Sequence, residues 1–132
     1  YAPEMVHAAA RGASYACFVR PDTTIPFMAM PDACDALVSL SVAPRARLTR
    51  TTYNVPAFSA SAEDIRSDVL RAYPRADISF RVDERRQAIV DSWPSALDDA
   101  PARADWGFRP LYDRARAFGD YLIPTIGRHY TS

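Results

Sequence analysis

At 132 residues, 48% apolar and 24% charged, the chain has the composition of a globular protein. Its length suits one compact unit, residues 1–132, with room for a core but little beyond that for a cofactor. Sixteen basic residues balance sixteen acidic ones and lie scattered, which argues against the footprint of a nucleic-acid or anionic-membrane binder. Every basic residue is arginine, so no mechanism that needs a lysine amine can run on this chain, whether a Schiff base, a phosphate-loop lysine or a Tyr-x-x-x-Lys dyad.

Tyr1 to Arg11 reads as an amphipathic helix, with Tyr1, Met5 and Ala8/Ala9 on one face, Pro3 in the first turn and Gly12 as the stop. Ser14 to Val19 reads as a short strand closed by the Arg20-Pro21-Asp22 turn, and Thr24 to Met30 as a second extended piece around Pro26. Pro31-Asp32 predicts a helix entry with Asp32 as N-cap and Ala36, Leu37 and Leu40 as the buried stripe, ended by Pro44. After a basic turn over 45–50, Thr51 to Val55 has the composition of a strand that Pro56 terminates.

Ser61-Ala62-Glu63-Asp64 opens a third helix in a capping-box pattern, burying Ile65, Val69, Leu70 and Tyr73. Ile78 to Val82 alternates as a strand, and strand–helix–strand at this spacing predicts that 51–55 and 78–82 are parallel neighbours. Arg85 to Val90 suits a single helical turn or a loop. Asp98/Asp99 to Trp106 suits a short capped helix stopped by Gly107, and Leu111 to Leu122 a final helix that Pro124 ends or kinks. The layout is α/β: a short parallel strand pair with flanking helices.

Cys17 and Cys34 have neither CxxC nor metal-ligand spacing and read as small buried thiols in a reducing compartment, which places the protein in the cytoplasm. No apolar run reaches membrane-spanning length and no signal peptide opens the chain. The chain begins at Tyr1 rather than methionine, from which we expect a longer polypeptide upstream.

Asp91-Ser92-Trp93-Pro94, and Arg103 to Phe108 after it, hold both tryptophans. A large aromatic beside a hydroxyl, a carboxylate and a proline suits either the wall of a small polar-ligand pocket or a buried loop crossing. Elsewhere the bland readings lead. Trp106 before Gly107 is a packing plug, Asp98-Asp99 a cap rather than paired catalytic carboxylates, and Arg85-Arg86 a solvated turn rather than a carboxylate clamp. His7 and His129 have no catalytic partners in the sequence.

Arg20-Pro21-Asp22-Thr23-x-x-Pro26-Phe27-Met28-x-Met30-Pro31-Asp32, Tyr53-Asn54-Val55, Arg86-Gln87-Ala88-Ile89-Val90-Asp91-Ser92-Trp93-Pro94 and Asp105-Trp106-Gly107-Phe108-x-Pro110-x-Tyr112-Asp113 together resemble the C-terminal half of the short-chain-dehydrogenase-type L-threonine 3-dehydrogenases. These are relatives of the nucleotide-sugar epimerases in the extended short-chain dehydrogenase/reductase superfamily. Tyr-Asn-Val and Trp-Gly-aromatic-Pro are shared widely there, whereas Arg-Gln-Ala-Ile-x-Asp-Ser-Trp-Pro is more specific to the threonine enzymes.

The resemblance implies the substrate-binding side of an NAD-dependent oxidoreductase without its Rossmann domain. The intact parent would oxidise L-threonine to 2-amino-3-oxobutanoate with NAD. The required Gly-rich turn is missing, since Gly12, Gly107, Gly119 and Gly127 are too far apart to form one, and the Tyr/Lys pair cannot exist without lysine. No catalytic, cofactor or metal residue is therefore expected in this chain, and NAD is implied only for a parent. The resemblance assigns Trp93 as a wall of the amino-acid pocket, with Ser92 beside it. It matches Tyr1-Ala2 to the end of a Thr-Thr-Asp-Tyr-Ala segment that meets substrate, which makes Tyr1 a third substrate-side candidate. Two other readings stay open: the C-terminal domain of a sugar-nucleotide epimerase or dehydratase, and a non-enzymatic module that binds a partner chain or pairs as a homodimer. A lost Rossmann half should leave an uncovered apolar patch.

Overall fold

The computed structural model describes residues 1–130, so the last two positions of the expected 1–132 unit lie outside the described residues. Helix α1 (Ala2–Ala10) carries Pro3 in its first turn and buries Ala2, Met5, Val6, Ala8 and Ala9. Gly12 follows at φ 67°, a left-handed conformation that glycine adopts without strain, and reverses the chain. Strand β1 (Tyr15–Cys17) and strand β2 (Thr24–Phe27) come next. Helix α2 (Met30–Ser41), a 3₁₀ turn (Arg45–Arg47) and strand β3 (Phe58–Ser61) lead into helix α3 (Ala62–Ala72). Strand β4 (Ile78–Phe80), helix α4 (Glu84–Asp91) and helix α5 (Ala100–Trp106) precede a last helical run. That run passes from α6 (Arg114–Arg116) through a π-helical stretch (Ala117–Leu122) into α7 (Ile123–Tyr130).

The strands form two separate two-stranded sheets. A short parallel pair is present, as expected, but its partners differ from the expected ones. β1 pairs with β4 (Tyr15↔Ile78, Ala16↔Ser79, Cys17↔Phe80), and β2 pairs antiparallel with β3 (Thr24↔Ser61 to Phe27↔Phe58). Residues 51–55 are not a strand. Their β-branched and aromatic side chains have no neighbouring strand edge; Tyr53 instead sets its ring edge-on to Trp106 at 5.9 Å. Strand propensity reports fit to a half-buried surface, and here that surface is α5. The strand begins after Pro56 rather than ending at it.

Two helix expectations also need correction. The N-cap of α2 is Ala29, not Asp32. Asp32 is buried and its carboxylate accepts from the backbone N–H groups of Leu111 and Tyr112, both at 2.9 Å, so it ties two distant segments together. The face of α2 turned to the core buries Asp32 and Ala36, while Leu37 lies exposed and Leu40 half-buried. Pro124 does not end the last helix; it sits in the second position of α7. A proline ring would clash with the carbonyl four residues back in an α-helix, and the wider π turn immediately before it relieves that crowding.

The expected cap of α3 and stop of α5 are present, and one segment is more regular than expected. Ser61 caps α3: its Oγ accepts from Asp64 N–H (3.0 Å) while the Asp64 carboxylate accepts from Ser61 N–H (3.0 Å). α4 is a full helix rather than a single turn, because Asp83 caps it by accepting from the N–H groups of Arg85 and Arg86. Gly107 stops α5 at φ 78°. The main core gathers Met5 and Val6 of α1, Cys17, Val19, Ile65 and Val69 of α3, Phe118 of the π stretch and Ile126 of α7. A smaller cluster joins Ala36, Ala102 and Phe108, with Tyr53 and Trp106 against it.

Candidate functional site

The α4 C-terminus carries the Ser92-Trp93 turn, and the turn is braced from beneath. Gln87, one helical turn before Asp91, is buried. Its Oε1 accepts from Arg20 N–H (2.7 Å) and its Nε2 donates to Thr23 Oγ1 (3.0 Å) and to Asp91 Oδ1 (2.7 Å). Arg20 closes the frame with two parallel bonds to the Asp91 carboxylate, 2.8 and 3.1 Å, the bidentate geometry a guanidinium prefers. These partners, Arg20 first and then Gln87, hold the Asp91 carboxyl below the usual carboxylate range. Ser92 is the C-cap of α4 and spends its hydroxyl on Ile89 C=O at 2.6 Å. Trp93 N–H bonds back to Val90 C=O, and the indole stands out, 53% exposed.

Tyr1 precedes α1 and packs against the main core. Its ring meets Phe18 edge-on at 6.0 Å and Phe27 at 6.3 Å. Its hydroxyl is buried without a hydrogen-bond partner among the described residues, and burial pushes its pKa up to about 12. Phe18 is capped in turn by the Arg86 guanidinium, 3.2 Å from the ring centroid, a cation–π contact. Tyr1 and Trp93 are therefore not joined by a ring pair or hydrogen bond among the described residues. Tyr1 contacts Phe18, and Asp91, two residues before Trp93, is paired with Arg20.

The remaining candidates resolve into structural duties. Asp98 Oδ1 accepts from Ala100 N–H and Asp99 pairs with Arg103 at 2.7 Å, so the adjacent carboxylates are committed to α5. Trp106 packs between Tyr53 and Phe108. His7 bonds the Tyr130 hydroxyl through Nδ1 (2.9 Å), and His129 lies against the same ring. Cys17 is buried, with its thiol pushed up by burial, whereas Cys34 is exposed on α2; the expectation of two buried thiols fails there because Cys34 faces away from the core. Among the described residues no group of His, Cys, Asp or Glu is placed to hold a metal ion. No helix of the described residues is long and apolar enough to cross a membrane.

Reading the sequence missed Gln87 and Asp105. Buried Asp105 accepts from Thr49 N–H, Thr49 Oγ1 and the Tyr53 hydroxyl at 2.6–2.8 Å, and those donors hold its carboxyl low. For Gln87 the one local signal is its i,i+4 spacing to Asp91; its other partners lie more than sixty residues away.

No protein-family model matches the sequence. Similarity to known proteins is nonetheless extensive. The chain is 37% identical over 113 residues to the mitochondrial L-threonine 3-dehydrogenase of Bos taurus, covering 86% of this chain and 30% of that protein. It is 40% identical over 116 residues to an uncharacterized epimerase/dehydratase of Staphylococcus haemolyticus, covering 87% of this chain and 36% of that one. Among solved structures, L-threonine 3-dehydrogenase from Trypanosoma brucei superposes with a TM-score of 0.86 at 37% identity, over 96% of this chain and 40% of that chain. The chain thus spans about a third of the length of the curated relatives it matches. Over nearly its whole length the chain is similar in sequence and fold to the C-terminal part of L-threonine 3-dehydrogenases and of epimerase/dehydratase proteins.

Proposed function

We propose that this chain supplies the substrate-binding side of an NAD-dependent oxidoreductase of the L-threonine 3-dehydrogenase type, converting L-threonine to 2-amino-3-oxobutanoate in the intact enzyme, and that it is catalytically incomplete alone. The observation that carries the reading is Trp93, a half-exposed indole on a turn held rigid by Gln87 and the Arg20–Asp91 pair. An exposed aromatic on a braced turn can form one wall of a pocket whose other wall lies outside this chain. Ser92 offers oxygen lone pairs near Trp93, since its proton is already donated to Ile89, and Tyr1, whose hydroxyl is buried in this chain, is included in the proposal as a substrate-side residue on the resemblance alone.

The residues present do not fit NAD. Pyrophosphate binding needs clustered glycines leading into a helix N-terminus, and Gly12 and Gly107 instead terminate helices, at φ 67° and 78°. No step of hydride or proton transfer is assigned to this chain. A cytoplasmic setting is part of the proposal, supported by two free cysteines, one of them exposed.

In the longer enzyme carrying this region, Trp93→Ala should raise KM for L-threonine about tenfold, equivalent to about 1.4 kcal/mol, and leave KM for NAD unchanged. Steady-state kinetics with each substrate varied in turn checks this; equal losses would reduce Trp93 to packing. The 132-residue chain by itself should show no threonine-dependent NAD reduction, and turnover there would overturn the reading. The staphylococcal relative supports a second reading, part of an epimerase or dehydratase, for which we propose a sugar nucleotide as substrate. Tryptophan fluorescence of the longer enzyme that responds to a nucleoside-diphosphate sugar and not to threonine would favour it.

A further inference from the structure

A groove of about 260 Å³ runs between the end of α3 and the last helical run. Ala72, Ala115, Phe118, Gly119 and Ile123 make its walls apolar, and the polar side chains lining it are Asp68 and Arg71. Asp68 is 5% exposed, and among the described residues it shares burial of this degree with two other aspartates, Asp32 and Asp105. Those two are well supplied with donors. Asp32 accepts from two backbone N–H groups and Asp105 accepts three bonds. Asp68 accepts one, from Arg71 Nη1 to its Oδ1 at 2.9 Å. Its Oδ2 is buried and has no hydrogen-bond partner among the described residues. Arg114 Nε stands 3.3 Å from it as an ion pair, without the geometry of a hydrogen bond. An ionised carboxylate offers about four acceptor sites, and a buried acceptor left without donors is costly.

We infer that this groove is a binding site for a short primary alkylammonium ion, whose ammonium donates to Asp68 and whose methylenes lie along the apolar walls. The chemistry of the site selects that class. Charged donors bond a carboxylate about twice as strongly as neutral ones. Each Asp68 oxygen already faces one guanidinium, Arg71 at Oδ1 and Arg114 at Oδ2, so the planar fork of a third guanidinium finds no free carboxylate edge. An ammonium is compact and donates in three directions. Arg71 is the movable side of the site: its side chain is 73% exposed, and an ion pair of that exposure yields at little cost. The chain contains no lysine, so the ammonium comes from outside it. The groove shares no lining residue with the Trp93 turn, and the inference stands independently of the proposed oxidoreductase role.

The test titrates the 132-residue chain with n-pentylammonium chloride and follows the amide NMR shifts of residues 68–72 and 115–123. The expected result is saturable binding that tightens about fourfold per methylene from propyl- to pentylammonium, equivalent to about 0.8 kcal/mol each. Asp68→Asn should weaken pentylammonium binding at least tenfold, and Arg71→Ala should not weaken it. Because Asp68 also holds Arg71 and Arg114, a second variant separates binding from folding. A Cβ added at Gly119 meets no atom within 4 Å, so Gly119→Leu should fill the groove and abolish binding with the melting temperature unchanged. Absence of saturable shifts, equal binding of 1-pentanol, or binding that survives Gly119→Leu would overturn the inference. So would binding of pentanoate that Arg71→Ala removes, which would assign the groove to anions. Nα-acetyllysine methylamide separates the two sources of the same chemistry: binding tighter than that of pentylammonium upholds the site and names a partner protein's lysine, and weaker binding upholds it and names a free amine.

Discussion

Gln87 shows how much of the site rests on one side chain. It is buried and bonds to three residues in two segments, so replacing it leaves Arg20 N–H without an acceptor beneath the Trp93 turn. Gln87→Leu keeps the volume and removes the bonds, and should destabilise the chain by about 2 kcal/mol in urea denaturation. Asp91→Asn, at an exposed ion pair with Arg20, should cost less than about 1 kcal/mol in the same measurement. The Arg86–Pro94 block was legible as the most informative stretch because tryptophan, serine and proline announce themselves. Gln87 was not legible, because the worth of a lone amide depends on partners brought in by the fold. Asp32 went wrong for a related reason. An aspartate after a helix-opening proline usually caps, but two backbone N–H groups near residue 111 offered it a pair of bonds in a buried place, where unsatisfied donors are costly.

At the scale of elements, what depends on a few consecutive residues was readable and what depends on neighbours was not. The capping box at Ser61 involves only residues 61–64 and formed as its pattern predicts. Ser61→Ala should therefore lower stability by about 1 kcal/mol, seen as an earlier midpoint in circular-dichroism melts. Restoring the cap with Ser61→Thr should recover most of the loss. The residues 51–55 had strand composition and no strand to pair with, and Leu37 had helical periodicity and no core to face. In each case the local preference was real and its direction was set by what lay across from it. Pro124 adds a third form of the same limit: its effect on an α-helix is predictable, but a widened turn ahead of it lets the helical run continue.

For the whole molecule, the parallel strand pair was foreseen as a type and mispartnered, since composition identifies strands but not the order in which they meet. The ion pairs and caps that hold the parts together set its acid limit. Backbone and side-chain bonds from Ser61, with Arg114 opposite, hold the Asp64 carboxyl at about 2 against an ordinary 3.8, and Asp91 and Asp105 are lowered too. Folded-state values below the unfolded ones mean that this stability is fully present above about pH 4 and is lost as pH falls through the folded values. Melting temperature should therefore drop between pH 4 and pH 2, and Asp64→Asn should flatten part of that drop. An unchanged slope in the variant would remove Asp64 from the account.

The division of the strands into two pairs has one more consequence. Among the described residues every strand is an edge strand, and open edges recruit strands from other chains. Here each strand is only three or four residues long, and β2 carries Pro26, which has no N–H to offer a newcomer. Brevity and one proline thus limit what the edges of the two pairs could offer to a strand from another chain.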